Sequence, residues 1–217
     1  NSLEDSNERQ LYQALMAETR NRLSKKRYDY TKKLKESGQK QAYYMSMEFL
    51  VGRTLRNNLF NLGIEDEVRS FLAEKNFDLD RIYDMEPDPG LGNGGLGRLA
   101  SCYLDALTSN DYPVTGFSIL YEFGIFKQVI ANGWQQEYPD NWLGMGQYGL
   151  VHRSDEEIEI KFYGKTEEHW TNEGSKVNYE DYKSIIAEPY DLMISGYKSE
   201  AVNVLRLWKS KANAGFD

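Results

Sequence analysis

The hydrophobic pattern changes period along the chain. Leu11, Tyr12, Leu15, Met16, Thr19 and Leu23 recur at roughly helical spacing, so the segment from about Glu8 to Leu34 is predicted to form one or two amphipathic helices. Its other face carries "KKRYDYTKKLK", a cationic run that reads as a solvated helix face or as an anion or effector contact. The next stretch, "QAYYMSMEFLVG", is apolar and aromatic with few breaks and predicts a buried strand from Ala42 to Phe49. Leu55, Leu59 and Leu62, with Gly63 as a stop, predict a short helix. Val68, Phe71 and Leu72 mark a second short helix, and Leu79, Ile82 and Tyr83 a third.

A glycine-rich segment, "DPGLGNGGLG", then precedes an apolar stripe at Leu96, Leu99, Ala100, Tyr103 and Leu107. That spacing predicts an amphipathic helix with Arg98, Ser101, Asp105 and Thr108 on its polar side. From Pro113 onward the pattern is β-like. "PVTGFSILYEFGIF" is rich in β-branched and aromatic residues, and "KQVIANGWQQE" reads as a hairpin turning at Asn132-Gly133. Ile158, Ile160 and Phe162 alternate with Glu159 and Lys161, as in a half-exposed strand, and "KSIIAEPYDLMISGY" and "AVNVLRLW" read as further strands. The fold class expected is α/β: a helical leader over 1–40, then an α/β region over 41–217 whose second half is β-rich and built on hairpins.

Composition narrows the setting. The chain has 217 residues, of which 40% are hydrophobic and 28% charged, as in a soluble globular protein. A formal net charge of −8 argues against nucleic acid or an anionic membrane as partner. A single cysteine, Cys102, excludes an internal disulfide framework. No apolar run reaches membrane-spanning length and no signal-peptide core is visible, so a cytoplasmic protein is expected. The strand-like "AVNVLRLW" needs sheet neighbours, which leaves two readings: part of a longer chain, or a natural end with a frayed tail.

Five glycines lie between Gly90 and Gly97. With Asn93 as N-cap and Gly94 as the first helical residue, several backbone N–H groups would be free at the positive end of the helix dipole. Without Cβ atoms on Gly94 and Gly95, an anionic oxygen could approach closely. The preceding "PGLG" would permit a tight turn with positive φ. Arg98, one turn on, would add charge or anchor the loop. The competing reading is close helix–sheet packing without a ligand. A dinucleotide fingerprint can be drawn through Gly90, Gly92 and Gly95, but "YDMEPDP" before it is not a strand, and there is no G-K-[ST] for a nucleoside triphosphate.

Other chemistry is sparse. His152 and His169 lack ligand-spaced partners, and no metal is expected. Cys102 is expected to be a small buried or interface residue. Glu48 and Arg53 flank "FLVG" and suggest a structural ion pair or a site wall. Trp134, Tyr138, Trp142 and Tyr148 offer rings that could stack on sugars, or serve as core.

"YYMSMEFLVGRTLRNNLFNLG", "DPGLGNGGLGRLASCYLDALT", "YEFGIFKQVIANGWQQEYPDNWL" and "VNVLRLW" together resemble the α-glucan phosphorylases, collinearly from about Leu11 to Phe216. "EFL" and the short N-terminal lead resemble bacterial members. The resemblance implies the N-terminal part of a type B glycosyltransferase fold. It implies an enzyme that releases glucose 1-phosphate from an α-1,4-glucan (glycogen or maltodextrin) with inorganic phosphate, uses pyridoxal phosphate and forms a homodimer. By motif match, Gly94 and Gly95 would present amides to the phosphate, Leu96 and Asn93 would sit beside the sugar, and Arg98 would support the loop. The lysine that holds the cofactor and the catalytic histidine belong to later family segments without a match here, so this chain alone is expected to be inactive. The alternatives are a noncatalytic glucan-binding or dimerisation module, or a sugar-nucleotide glycosyltransferase half-domain.

Overall fold

The computed structural model describes residues 6–146, 149–172 and 174–213. The helical lead is one long helix, α1 (Glu8–Ser37). Asn7 and Gln10 form a reciprocal capping box at its start, and Gly38 closes it with a left-handed cap. Three short helices follow strand β1 (Ala42–Met45): α2 (Leu55–Asn61), α3 (Glu65–Glu74) and α4 (Leu79–Tyr83). The glycine segment leads into α5 (Gly95–Ser109). The β-rich half comprises β2 (Val114–Ile119), β3 (Lys127–Ala131), β4 (Trp134–Tyr138), β5 (Leu150–His152), β6 (Ile158–Thr171), β7 (Gly174–Ser195) and β8 (Val202–Ala212).

Six strands form one mixed sheet in the order β1-β2-β8-β7-β5, with β6 also pairing β7. β1, β2 and β8 run parallel. β7 is antiparallel to β8, β5 and β6. β3 and β4 form a separate hairpin whose turn residues Asn132 and Gly133 both have positive φ, 53° and 79°, as their Asn-Gly identity requires.

The main core joins Phe49, Leu91, Ala100, Leu104, Val114, Trp142, Leu205 and Leu207 between α5 and the sheet. A second cluster packs Leu11, Tyr12 and Met16 of α1 against Leu55, Leu59, Leu72, Leu79 and Ile82 of the short helices. Leu23 meets Met193 and Val202, the alternate residues of β7 and β8. Buried polar groups tie these layers. Asn203 Nδ2 donates to Thr108 Oγ1 at 3.0 Å and to the Tyr112 carbonyl at 2.9 Å, while its Oδ1 accepts from Val114 N at 3.1 Å. The Glu86 carboxylate accepts from Thr54 N, Thr54 Oγ1 and Leu55 N at 2.7–2.9 Å and so caps the start of α2.

Three sequence expectations differ. The strand predicted over Ala42–Phe49 stops at Met45, and Tyr43 and Met45 are exposed because β1 is the sheet's edge. After Ser46, whose N–H still donates to the Phe117 carbonyl, the chain leaves the ladder and residues 48–50 hold the glycine loop. The predicted apolar stripe of α5 is buried only in part: Ala100 is buried and Leu107 packs against the core, but Leu96, Leu99 and Tyr103 are exposed, while Gly97, Leu104 and the predicted polar-side Ser101 and Thr108 are buried. Finally, β6 is exposed along its whole length rather than on one face.

Candidate functional site

The loop before α5 is clamped from one side. Phe49 N donates to the Leu91 carbonyl at 2.9 Å, and Leu50 N donates to the Gly97 carbonyl at 3.0 Å. Glu48 Oε2 accepts from Asn93 N at 3.2 Å, and Arg98 Nη1 donates to the Leu50 carbonyl at 3.3 Å. Arg98 therefore anchors the loop through a carbonyl. Glu48 does not pair with Arg53, whose partner is Asp84 at 2.9 Å.

The five glycines divide into two groups. A Cβ on Gly90 would lie 2.4 Å from Gly124 Cα, one on Gly92 would lie 3.0 Å from Leu50 N, and one on Gly97 would lie 3.1 Å from Glu48 Oε2. These three are small because the Glu48–Leu50 segment and the "YEFG" turn press against them. A Cβ on Gly94 or Gly95 would meet nothing within 4 Å among the described residues. No positive φ is used anywhere in the segment. The tight turn is present without it, with Leu91 N donating to the Pro89 carbonyl at 2.9 Å across Gly90, and backbone approach is what glycine supplies. The cap also differs by one position: Gly94, extended at φ −154°, is the N-cap, its carbonyl accepts from Arg98 N at 3.0 Å, and α5 starts at Gly95. Asn93 gives its backbone N–H to Glu48 and its side chain makes no cap.

An open concavity of about 240 Å³ lies beside this turn, lined by Glu48, Gly90, Gly92, Asn93, Tyr121 and Phe123 among others. Tyr121 is fixed there by its hydroxyl, which donates to the Met47 carbonyl at 2.9 Å. Trp142 Nε1 donates to the Tyr121 carbonyl at 3.0 Å and its ring is core, so it is no stacking platform. Trp134 and Tyr138 are exposed on the β3–β4 hairpin, and Tyr148 lies outside the described residues. Leu96 is 81% exposed in the first turn of α5 and is not among the residues lining this concavity. The chemistry available is a set of free helix-start amides with one carboxylate beside them. Anions are favoured by the amides and the dipole, and opposed by Glu48.

A larger concavity, about 810 Å³, lies elsewhere, along α2 and α4. Its charged groups answer one another: Arg53 pairs with Asp84, Arg56 with Glu65 at 3.5 Å, and Glu86 caps α2. Cys102 is exposed, which removes the buried reading and keeps the interface one, because α5 turns its glycine–alanine–serine side to the sheet. His152 is not isolated: the sheet brings Glu188 of β7 to it, a partner far away in sequence, while Glu157 stands 3.3 Å away. Of the two readings of Glu48, the ion pair with Arg53 fails and the wall fits, since Glu48 lines the concavity. Its proximity to "GLGNGG" depends on a chain reversal that no local spacing signals. Among the described residues no helix is long and apolar enough to cross a membrane.

Comparison with known proteins agrees with the motifs. Residues 72–217 match the family described as carbohydrate phosphorylase. The chain is 45% identical to glycogen phosphorylase of Chlamydia pneumoniae over 179 residues, covering 82% of this chain and 22% of that protein. It is 39% identical to glycogen phosphorylase of Bacillus subtilis over 217 residues, covering 99% of this chain and 27% of that protein. The brain form of human glycogen phosphorylase is 42% identical over 181 residues, 83% of this chain and 21% of that protein. The chain thus spans roughly a quarter of the length of these relatives. On its matched residues, the chain belongs to the carbohydrate phosphorylase family.

Proposed function

We propose that this chain supplies one wall of an α-1,4-glucan phosphorylase site, in which inorganic phosphate releases glucose 1-phosphate from glycogen or maltodextrin. The observation that carries the reading is the division of the glycines. Gly90, Gly92 and Gly97 are required by packing, whereas Gly94 and Gly95 face open space at a helix start. There the amides of the first turn have no intrahelical partner and can bind phosphate oxygens, which the helix dipole favours. Asn93 lines the neighbouring concavity and Leu96 is exposed in the first turn of α5, and in this reading both would border the sugar. Arg98 keeps the loop against Leu50.

In this reading the fold is the N-terminal part of a type B glycosyltransferase, and the working protein is a cytoplasmic homodimer. Pyridoxal phosphate would contribute a phosphate group that assists the reaction. The concavity beside the loop has no lysine in its lining, so these residues do not fit as a covalent anchor for the cofactor and no step is assigned through it. The chain by itself is expected to be inactive, and measured release of glucose 1-phosphate from maltodextrin by it would overturn that point.

Binding is tested by titrating the chain with inorganic phosphate in ¹⁵N–¹H correlation spectra. The Gly94, Gly95 and Leu96 amides should shift together and saturably. Shifts no larger than that of Gly133, in the β3–β4 turn, would overturn the reading.

A further inference from the structure

A second cluster of chemically capable side chains lies on the sheet, away from the glycine loop. His152 is on β5 opposite Tyr190 of β7, and the two rings stack with centroids 4.7 Å apart at 19°. Glu188 precedes Tyr190 by two residues on β7 and so projects from the same face. Its side chain is only 9% exposed. Glu157 follows the 3₁₀ turn at Ser154–Glu156, and its Oε1 lies 3.3 Å from His152 Nε2. One donor atom from each of the three residues lies within 4.8 Å of the others.

Two carboxylates this close to one another repel unless a cation stands between them. Lys211 of β8 answers one of them, with Nζ 3.0 Å from Glu188 Oε1. It leaves Glu157 with the imidazole alone, its Oε1 3.3 Å from Nε2. A divalent cation would engage all three donors with the imidazole neutral. One imidazole nitrogen and two carboxylate oxygens suit Zn²⁺ and its late first-row neighbours better than Mg²⁺, which prefers oxygen alone. The ring is held by Tyr190 and both strands are paired, so the donors need little reorganisation.

We propose that His152, Glu157 and Glu188 form a Zn²⁺-class site that ties β5 and the turn after it to β7, with Lys211 competing for Glu188. Calorimetric titration of the chain with Zn²⁺ should show one saturable event, and Zn²⁺ should raise the melting temperature. Co²⁺ should bind with visible ligand-field absorption, and Mg²⁺ should give no comparable heat. His152→Ala and Glu188→Gln should each weaken Zn²⁺ by at least about tenfold. Lys211→Met should tighten it, because the competing ammonium is gone. Circular dichroism on each variant confirms that it has folded. Absence of saturable heat with Zn²⁺, or wild-type Zn²⁺ affinity in folded His152→Ala and Glu188→Gln, would overturn the proposal. Equal affinity for Mg²⁺ and Zn²⁺ would also overturn it, since the imidazole would then have no part.

Discussion

The Glu48 carboxylate accepts the backbone N–H of Asn93 at 3.2 Å, one residue before the N-cap of α5. The same carboxylate therefore orders the loop and places negative charge beside amides suited to anions. These two effects separate on substitution. Glu48→Gln keeps an acceptor and removes the charge, so phosphate should bind more tightly, by a few-fold for a partly solvated charge. Glu48→Ala should instead speed hydrogen exchange at Asn93. Amide titrations and exchange rates of the two variants read these outcomes separately.

The two groups of glycines should respond oppositely to an added methyl. Gly90→Ala and Gly92→Ala force backbone apart and should destabilise the chain by about 1–3 kcal/mol or more. Gly94→Ala and Gly95→Ala should change stability by less than about 1 kcal/mol while weakening phosphate binding. Chemical denaturation together with phosphate titration of all four variants tests the division.

Glu86 holds three donors at the start of α2. Glu86→Ala should cost about 2–3 kcal/mol, because two backbone N–H groups and a hydroxyl lose a charged acceptor in a buried place. Glu86→Gln should lose less. The urea midpoint at constant slope is the measurement.

Asn203 satisfies Val114 N, Thr108 Oγ1 and the Tyr112 carbonyl at once. Asn203→Leu fills the volume but strands these groups, and should cost about 2–4 kcal/mol. Asn203→Asp keeps the acceptor for Val114 N but faces the Tyr112 carbonyl with an oxygen, and should also destabilise. Thermal melts of the two variants decide whether polarity or volume matters at this joint.

The Arg69 guanidinium, hydrogen-bonded to Asp80 through both nitrogens at 3.0 Å, holds the Asp80 carboxyl below its ordinary value. A depressed folded-state value means the pair helps above the ordinary aspartate range, and the benefit is lost as pH falls through the folded value. Arg69→Met should return the Asp80 carboxyl resonance to an ordinary titration and flatten the acid limb of stability. Both sites are solvent-facing, so the effect should fade with added salt.

Much of the fold is legible in the sequence where a residue type answers a local geometric demand. Asn132-Gly133 marks a turn needing two positive φ values, and Asn7 with Gln10 builds a cap within one helical turn. The face of α5 is not legible in the same way. Periodicity offers a stripe through Leu96, Leu99 and Tyr103, yet the helix also buries Gly97, where Glu48 and Leu50 approach too closely for a larger side chain, and Thr108, which bonds Asn203 of β8. Hydrophobicity alone ranks those small residues last. At the candidate site the helix start is visible from Asn93-Gly94-Gly95 within one residue. Glu48 is visible there only as an ion pair or a wall; its hold on Asn93 is not, since that contact joins segments some forty residues apart.

The parallel joints of the sheet carry a kinetic consequence. Ala42 pairs with Val114 and Thr115 with Val204, so β1 and β2 must wait for distant partners, while β6 and β7 zip together across a short turn. Long loops close slowly and hairpins quickly. The β6–β7 ribbon is therefore expected early and the parallel joints late. The clamp of Phe49 and Leu50 on Leu91 and Gly97 closes shorter loops than either joint, so a chain stalled on the way would hold its glycine turn while the sheet beside it was still open.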